Sequence, residues 1–194
     1  MKAVKSLMLV SSSPRRFEIL MGVVPGLKVI SPTCKEVPVL TKDDLISNAA
    51  RKLESVKLAK KGVAISADTA VFLDGRALGK PSSPAEAVEM LRSLSGRWHE
   101  VVTGVALYID GKVETSSETT RVLFKKLDDA AIRSYVATGE PLDKAGAYGI
   151  QGLGGRLVEK IEGDYHNVVG LPLPLLESML ESHGLALPEP GKDI

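Results

Sequence analysis

The segment Ser11-Ser12-Ser13-Pro14-Arg15-Arg16 sets two adjacent guanidinium groups directly after a run of hydroxyls. The apolar run Leu7-Met8-Leu9-Val10 before it reads as a buried strand, and Phe17-Glu18-Ile19-Leu20-Met21 after it reads as a helix. Ser13 suits the N-cap and Pro14 the first helical position. Such a helix start offers free amides and the positive end of the helix dipole to an anion, and arginine adds bidentate donors that match phosphate oxygens. The segment reads as a polyphosphate site, against the plainer alternative of a capped helix with solvated arginines.

Asp68 is the carboxylate that stands out. It interrupts the otherwise apolar run 63–73, where an ionised group needs a charged partner or a cation to offset its desolvation. An arginine partner with a purely structural role is the alternative. Thr69, next to it, faces the other side of a regular strand. Glu36 lies in a proline-flanked loop, and Lys80 sits in Leu78-Gly79-Lys80-Pro81, where glycine and proline restrict the backbone around a cation. Two carboxylates and three cations suit a nucleoside triphosphate. The acids would hold Mg²⁺ or Mn²⁺ through oxygen, and the cations would neutralise the remaining phosphate charge. The glycine-rich stretch 146–155 lets backbone approach a ligand closely, and Gln151 within it carries an amide able to read a base edge or simply bond to backbone. It is neither a P-loop nor a dinucleotide fingerprint. No Gly-x-Ser-x-Gly elbow is present, so His99 and His166 read as structural or substrate-edge residues rather than a catalytic base.

The elements that must position these groups follow from periodicity and punctuation. A short strand is expected at 27–30. A helix capped by Thr41 and Asp44 should carry the apolar stripe Leu45, Ala49, Leu53 and Val56 and end near Gly62. The strand 63–73 should be broken by Asp68-Thr69 and followed by a tight Asp74-Gly75 turn. Ser83-Pro84-Ala85-Glu86 opens a helix to about Leu94, and two long strands, 98–109 and 112–126, pair through Asp110-Gly111. A helix from Asp128 to about Ala137, a strand at 157–161, a helix at 175–183 and a loose tail from Pro188 complete the chain. Interspersed helices and strands with a long hairpin imply an α/β fold with a mixed sheet.

With 25 basic against 24 acidic residues among 194, overall charge gives no reason to expect a stable nucleic-acid complex. The single cysteine, Cys34, excludes an internal disulfide, and three dispersed histidines leave oxygen as the expected metal ligand. No apolar run approaches the roughly 18 residues of a membrane span, and no signal peptide is evident, so a cytoplasmic protein is expected.

Ser11, Ser13-Pro14-Arg15-Arg16, Ser66-Ala67-Asp68-Thr69, Gly79-Lys80-Pro81, the stretch 99–104 (HEVVTG) and the stretch 165–172 (YHNVVGLP) occur together and in order. This combination resembles the Maf family of nucleoside triphosphate pyrophosphatases, over about Leu7 to Leu180. The stretch 139–152 (GEPLDKAGAYGIQG) is similar to the branch acting on dTTP and UTP rather than to the 7-methyl-GTP branch. The resemblance implies one Maf-like domain over 1–194, with an elongated mixed sheet flanked by helices. It further implies two lobes about a central cleft, similar to inosine triphosphate pyrophosphatases. It implies hydrolysis between the α- and β-phosphates and a divalent metal cofactor, with Asp68 catalytic and binding metal alongside Glu36. It places Arg15, Thr69 and Gln151 at substrate-choice positions and Ser11, Arg16 and Lys80 at phosphate contacts, and a homodimer is also implied. The alternative from another class is a non-catalytic nucleotide- or nucleic-acid-binding regulator linked to cell division.

Overall fold

The computed structural model describes residues 1–4 and 6–188. A seven-stranded mixed sheet runs in the order β3(Lys28–Ile30), β2(Leu7–Val10), β4(Val63–Leu73), β6(Trp98–Ile109), β7(Lys112–Phe124), β8(Val158–Glu162), with β5(Arg76–Leu78) paired to the far end of β4. The β2 strand is parallel to both neighbours, and every other pairing in this sheet is antiparallel. Helices α1(Pro14–Met21) and α6(Leu173–Glu181) contribute to the core on one face, α2(Lys42–Glu54) crosses β4 and β6 on the other, and α3(Pro84–Leu94) and α4(Asp129–Ala137) pack at the far end. A short α5(Tyr165–Val169) precedes α6, and a two-residue parallel ladder joins β1(Lys2–Ala3) to β9(Leu185–Ala186).

Both Asp-Gly pairs make the tight turns expected of them. Asp74 and Gly75 have φ of 49° and 76°, and Asp110 and Gly111 have φ of 48° and 97°, the double left-handed geometry that matches strand twist in two-residue hairpins.

The β4 strand is continuous, contrary to the expected break at Asp68-Thr69. Asp68 pairs with Gly104 and Thr69 with Thr103 in the ladder to β6, so only side-chain polarity is interrupted. Period-two alternation sends Ala64, Ser66, Asp68, Ala70 and Phe72 toward α2 and Ile65, Ala67, Thr69, Val71 and Leu73 to the opposite face. The other edge of β4 pairs with β2 only from Val63 to Ile65 and with β5 only from Val71 to Leu73. Residues 66–70 therefore border an opening where β2 stops and the chain turns into α1. The C-terminal end of a parallel strand is where open α/β sheets bind ligands.

Helix α2 ends at Glu54 rather than near Gly62. Its last carbonyls are taken by side chains: Ser55 Oγ donates to Lys52 O at 2.8 Å, and Thr33 Oγ1 donates to Ser55 O at 2.6 Å. Val56 packs on the core from outside the helix. Helix α6 begins two residues earlier than expected, with Pro174 in its first turn, where a missing amide costs nothing. Strand β7 stops at Phe124, and β8 begins one residue late. Of the expected tail, Pro188 is buried and the remainder lies outside the described residues.

Gly104 governs how close α2 lies to the sheet. A Cβ there would stand 2.5 Å from the carbonyl carbon of Leu45 and 2.6 Å from the amide of Ile46, both backbone atoms of α2. Any larger residue must lift the helix and with it everything α2 brings to Asp68. Gly104→Ala is expected to destabilise the fold by about 2 kcal/mol, as overpacked cores do. Thermal unfolding would then show a Tm roughly 4–8 °C lower. An unchanged Tm would mean that α2 shifts freely.

Candidate active site

The opening beside residues 66–70 of β4 is the mouth of a cleft of about 860 Å³. Its walls come from the β2–α1 turn, the 32–39 loop, α2, β4, Gly79-Lys80, the 140–152 region and the end of α5. All eight residues singled out from the sequence line it: Ser11, Arg15, Arg16, Glu36, Asp68, Thr69, Lys80 and Gln151.

Asp68 is only 8% exposed, and its two oxygens are held separately. Lys52 Nζ donates to Oδ1 at 2.8 Å and Asn48 Nδ2 donates to Oδ2 at 2.9 Å. The same ammonium donates to Ala67 O at 3.1 Å on the unpaired edge of β4 and forms a 2.7 Å ion pair with Glu36 Oε1. Asn48 in turn exchanges two hydrogen bonds with the Val37 backbone, 2.9 and 3.0 Å long, which ties the Glu36 loop to the helix. Burial raises the Glu36 carboxyl, but the Lys52 ammonium, with Lys80 and Arg16 beyond it, outweighs this and holds it below its ordinary value.

Lys52 and Asn48 did not figure in the sequence reading of this site, although a signal for both was present. At roughly 100° per residue Lys52 falls about 20° and Asn48 about 60° to one side of the arc spanned by Leu45, Ala49 and Leu53, so two polar side chains border the apolar stripe of an amphipathic helix, and both are buried. A lysine there, 3% exposed, requires an anion.

Across the cleft, Ser13 occupies the N-cap of α1 but its side chain makes no capping bond, and the first turn contains no acid. The Ser13 amide instead donates to Ser11 Oγ at 3.0 Å. The amides opening α1 thus face the cleft uncapped by any side chain, with Ser11 positioned to donate its own hydroxyl proton. Arg16 is buried and ties the start of α1 to β4 and the end of α5: Nε donates to Gly170 O at 2.7 Å and Nη2 to Thr69 Oγ1 at 2.9 Å. Desolvation by burial lowers its pKa, opposed by Asp68 and Glu36. The guanidinium has five N–H groups, so donors remain for a ligand oxygen. Thr69 Oγ1 also lies 2.9 Å from Thr103 Oγ1. Lys80 and Gln151 are exposed at the rim.

The histidines stand away from this chemistry. His99 is buried, with Nε2 2.9 Å from the Tyr148 hydroxyl and its ring edge-on to Phe124 and Tyr148. Burial pushes its pKa down to about 4. His166 is exposed on α5, 3.7 Å from Asp164.

Among the described residues no group of three or more His, Cys, Asp or Glu is arranged to hold a metal. Two carboxylates do converge, since Asp68 and Glu36 each place an oxygen within 2.8 Å of Lys52 Nζ. Mg²⁺ is commonly bound by one or two carboxylates completed by waters and substrate phosphates. The pair fits such an open site and does not fit an all-protein cage.

Fold and cleft together define a mixed α/β protein with a buried, doubly held carboxylate facing an anion-receptive helix start. The family model for Maf-like proteins matches residues 6–183, and the chain belongs to that family. It is 45% identical over 174 residues to a dTTP/UTP pyrophosphatase of Thermosipho melanesiensis, covering 90% of this chain and 96% of the relative. It is 47% identical over 176 residues to a dTTP/UTP pyrophosphatase of Thermococcus gammatolerans, covering 90% and 95%. A third of the same name, from Halalkalibacterium halodurans, is 46% identical over 187 residues, covering 94% and 98%.

Two outcomes follow from this geometry. Lys52→Met leaves two carboxylates, one of them buried, without their shared cation and is expected to cost about 3–5 kcal/mol. Adding Asp68→Asn removes the stranded charge and restores a large part of that loss. Denaturant unfolding of the four proteins in the cycle measures this, and strictly additive losses would refute the coupling. For His99, the folded value near 4 lies below the ordinary 6.5. The unfolded chain therefore takes up the proton first, and stability falls as pH drops from about 6.5 to about 4, by on the order of 3 kcal/mol. His99→Gln should flatten that limb in a pH series of unfolding midpoints; an unaltered slope would place the acid sensitivity elsewhere.

Proposed function

We propose that the protein hydrolyses nucleoside triphosphates between the α- and β-phosphates, releasing a monophosphate and pyrophosphate, with dTTP and UTP as substrates. The observation that carries the reading is the Asp68 carboxylate, fixed by Lys52 and Asn48, facing the open amides of α1 within one cleft. The choice of dTTP and UTP is supported by the shared name of near-full-length relatives.

The triphosphate chain lies against the start of α1, where backbone amides, the Ser11 hydroxyl and the spare donors of Arg16 meet its oxygens. Lys80 and Arg15 neutralise further phosphate charge and stabilise the departing pyrophosphate. Asp68 accepts the proton of the attacking water, its carboxylate held in place by its two hydrogen-bonding partners. Lys52 fixes the spacing of Asp68 and Glu36. Both would hold a divalent cation, Mg²⁺ or Mn²⁺, which when bound supplies Lewis-acid polarisation of phosphate oxygens. Thr69 and Gln151 face the sugar and base, and the Gln151 amide offers both a donor and an acceptor to a pyrimidine edge.

The test is pyrophosphate release from dTTP, UTP, dCTP and purine triphosphates with Mg²⁺ or Mn²⁺, comparing wild type with Asp68→Asn. Turnover of dTTP and UTP to monophosphates by wild type, reduced at least a thousandfold in a folded Asp68→Asn, is expected. Near-normal rates in that variant would remove Asp68 from proton transfer, and no turnover by wild type would end the enzymatic reading.

A further inference from the structure

The glycine-rich stretch holds a second arrangement that its sequence does not announce. Glu140 reaches under the loop and accepts three hydrogen bonds: from Leu153 N at 2.9 Å on one oxygen, and from Gly154 N at 3.0 Å and the Tyr135 hydroxyl at 2.9 Å on the other. The Tyr135 oxygen accepts in turn from Gly149 N at 3.1 Å. One carboxylate and one phenol thus grip both ends of the 149–154 segment, and Gln151, exposed and lining the cleft, lies between the two grips.

The glycines are accounted for by this grip. A Cβ at Gly152 would stand 2.5 Å from Glu140 Oε2, and one at Gly154 would stand 2.5 Å from the Tyr135 hydroxyl oxygen. The loop is glycine-rich there because Glu140 and Tyr135 come up against its backbone. That differs from the reading in which these glycines make room for a ligand. Burial raises the Glu140 carboxyl, but the Gly154 and Leu153 amides and the Tyr135 hydroxyl outweigh it, so the group stays an ionised acceptor. Burial also raises Tyr135, which keeps it protonated as the donor this geometry needs.

We propose that Glu140 and Tyr135 are positioning residues that fix the backbone on either side of Gln151, so that its amide meets a pyrimidine edge in one orientation and base choice depends on them. The inference rests on the reading above that the cleft takes pyrimidine triphosphates. Uracil and thymine offer an acceptor at O4 where cytosine offers an N4 donor. An amide on a wandering loop satisfies either, whereas an amide on a held loop favours one.

The test compares wild type, Glu140→Gln, Gln151→Ala and the double variant for kcat/KM with dTTP and dCTP in Mg²⁺. The same four are compared for binding of dTTP and dCTP by calorimetry in EDTA. Glu140→Gln turns an NH₂ against an amide it formerly accepted from, and the dTTP over dCTP preference is expected to narrow about tenfold, the worth of one well-made hydrogen bond. In the Gln151→Ala background the same substitution should leave the preference unmoved, which a generally loosened fold would not produce. Tyr135→Phe, which loses only a hydroxyl, provides the same comparison should Glu140→Gln fold poorly. A preference unchanged by Glu140→Gln and by Tyr135→Phe, or one that narrows equally with and without Gln151, overturns the proposal. Should wild type turn over no triphosphate, the enzymatic reading falls, and the ratio of binding constants still decides whether the grip sets base choice.

Discussion

The ammonium of Lys52 is the contact on which the cleft depends. It joins Asp68 on the central strand, Glu36 on a loop and the Ala67 carbonyl on the unpaired edge of β4, all within 3.1 Å. Each group would be unfavourable alone. A buried lysine and a buried aspartate each carry a large desolvation cost, and their mutual satisfaction, with the Ala67 carbonyl as a further acceptor, offsets it. The arrangement requires α2 to lie unusually close to the sheet, which Gly104 permits because it stands opposite Asp68 in the ladder and presents no side chain to the helix. Sheet register, a missing side chain and an ion pair are therefore one constraint.

A second consequence follows from strand alternation. Asp68 and Thr69 are neighbours in sequence yet point to opposite faces, Asp68 to α2 and Thr69 to Arg16 and Gly170. Because β2 stops at Val10 while β4 continues, both faces become accessible at the same sheet edge. One dipeptide thus reaches the carboxylate chemistry on one side and the arginine-braced wall on the other. A break in the strand at this point would have lost that division.

The architecture was largely legible in the sequence because its signals are local. Asp-Gly turns, capping residues and apolar alternation depend on neighbours a few positions away, and the hairpin, helices α2 to α4 and the mixed character of the sheet emerge from them, whereas the order of its strands does not. Helix α2 ended early because Ser55 and Thr33 cap it, and Thr33 is distant in sequence. The eight residues that line the cleft were legible as charged or polar groups in restrictive contexts and, as a set, through a family resemblance. Lys52 and Asn48 carried a weaker signal, polar positions at the border of an apolar helix stripe, which becomes meaningful only once the strand beneath is known to hold Asp68.

Glu140 and Tyr135 show where such reading stops. A glutamate before a proline and a tyrosine on an amphipathic helix are ordinary surface and core residues by type. What joins them to the loop is a pair of close approaches that exist only after α4 and the short 3₁₀ turns at Glu140–Asp143 and Leu153–Leu157 have packed. The glycines at 152 and 154 were visible at once, and their cause was not. Glycine records that something comes near, and the sequence does not say whether it is a ligand or the protein itself. Here the near atoms are a carboxylate and a phenol of the same chain, so the loop's precision is built from beneath while its outer side, with Gln151, stays open to the cleft.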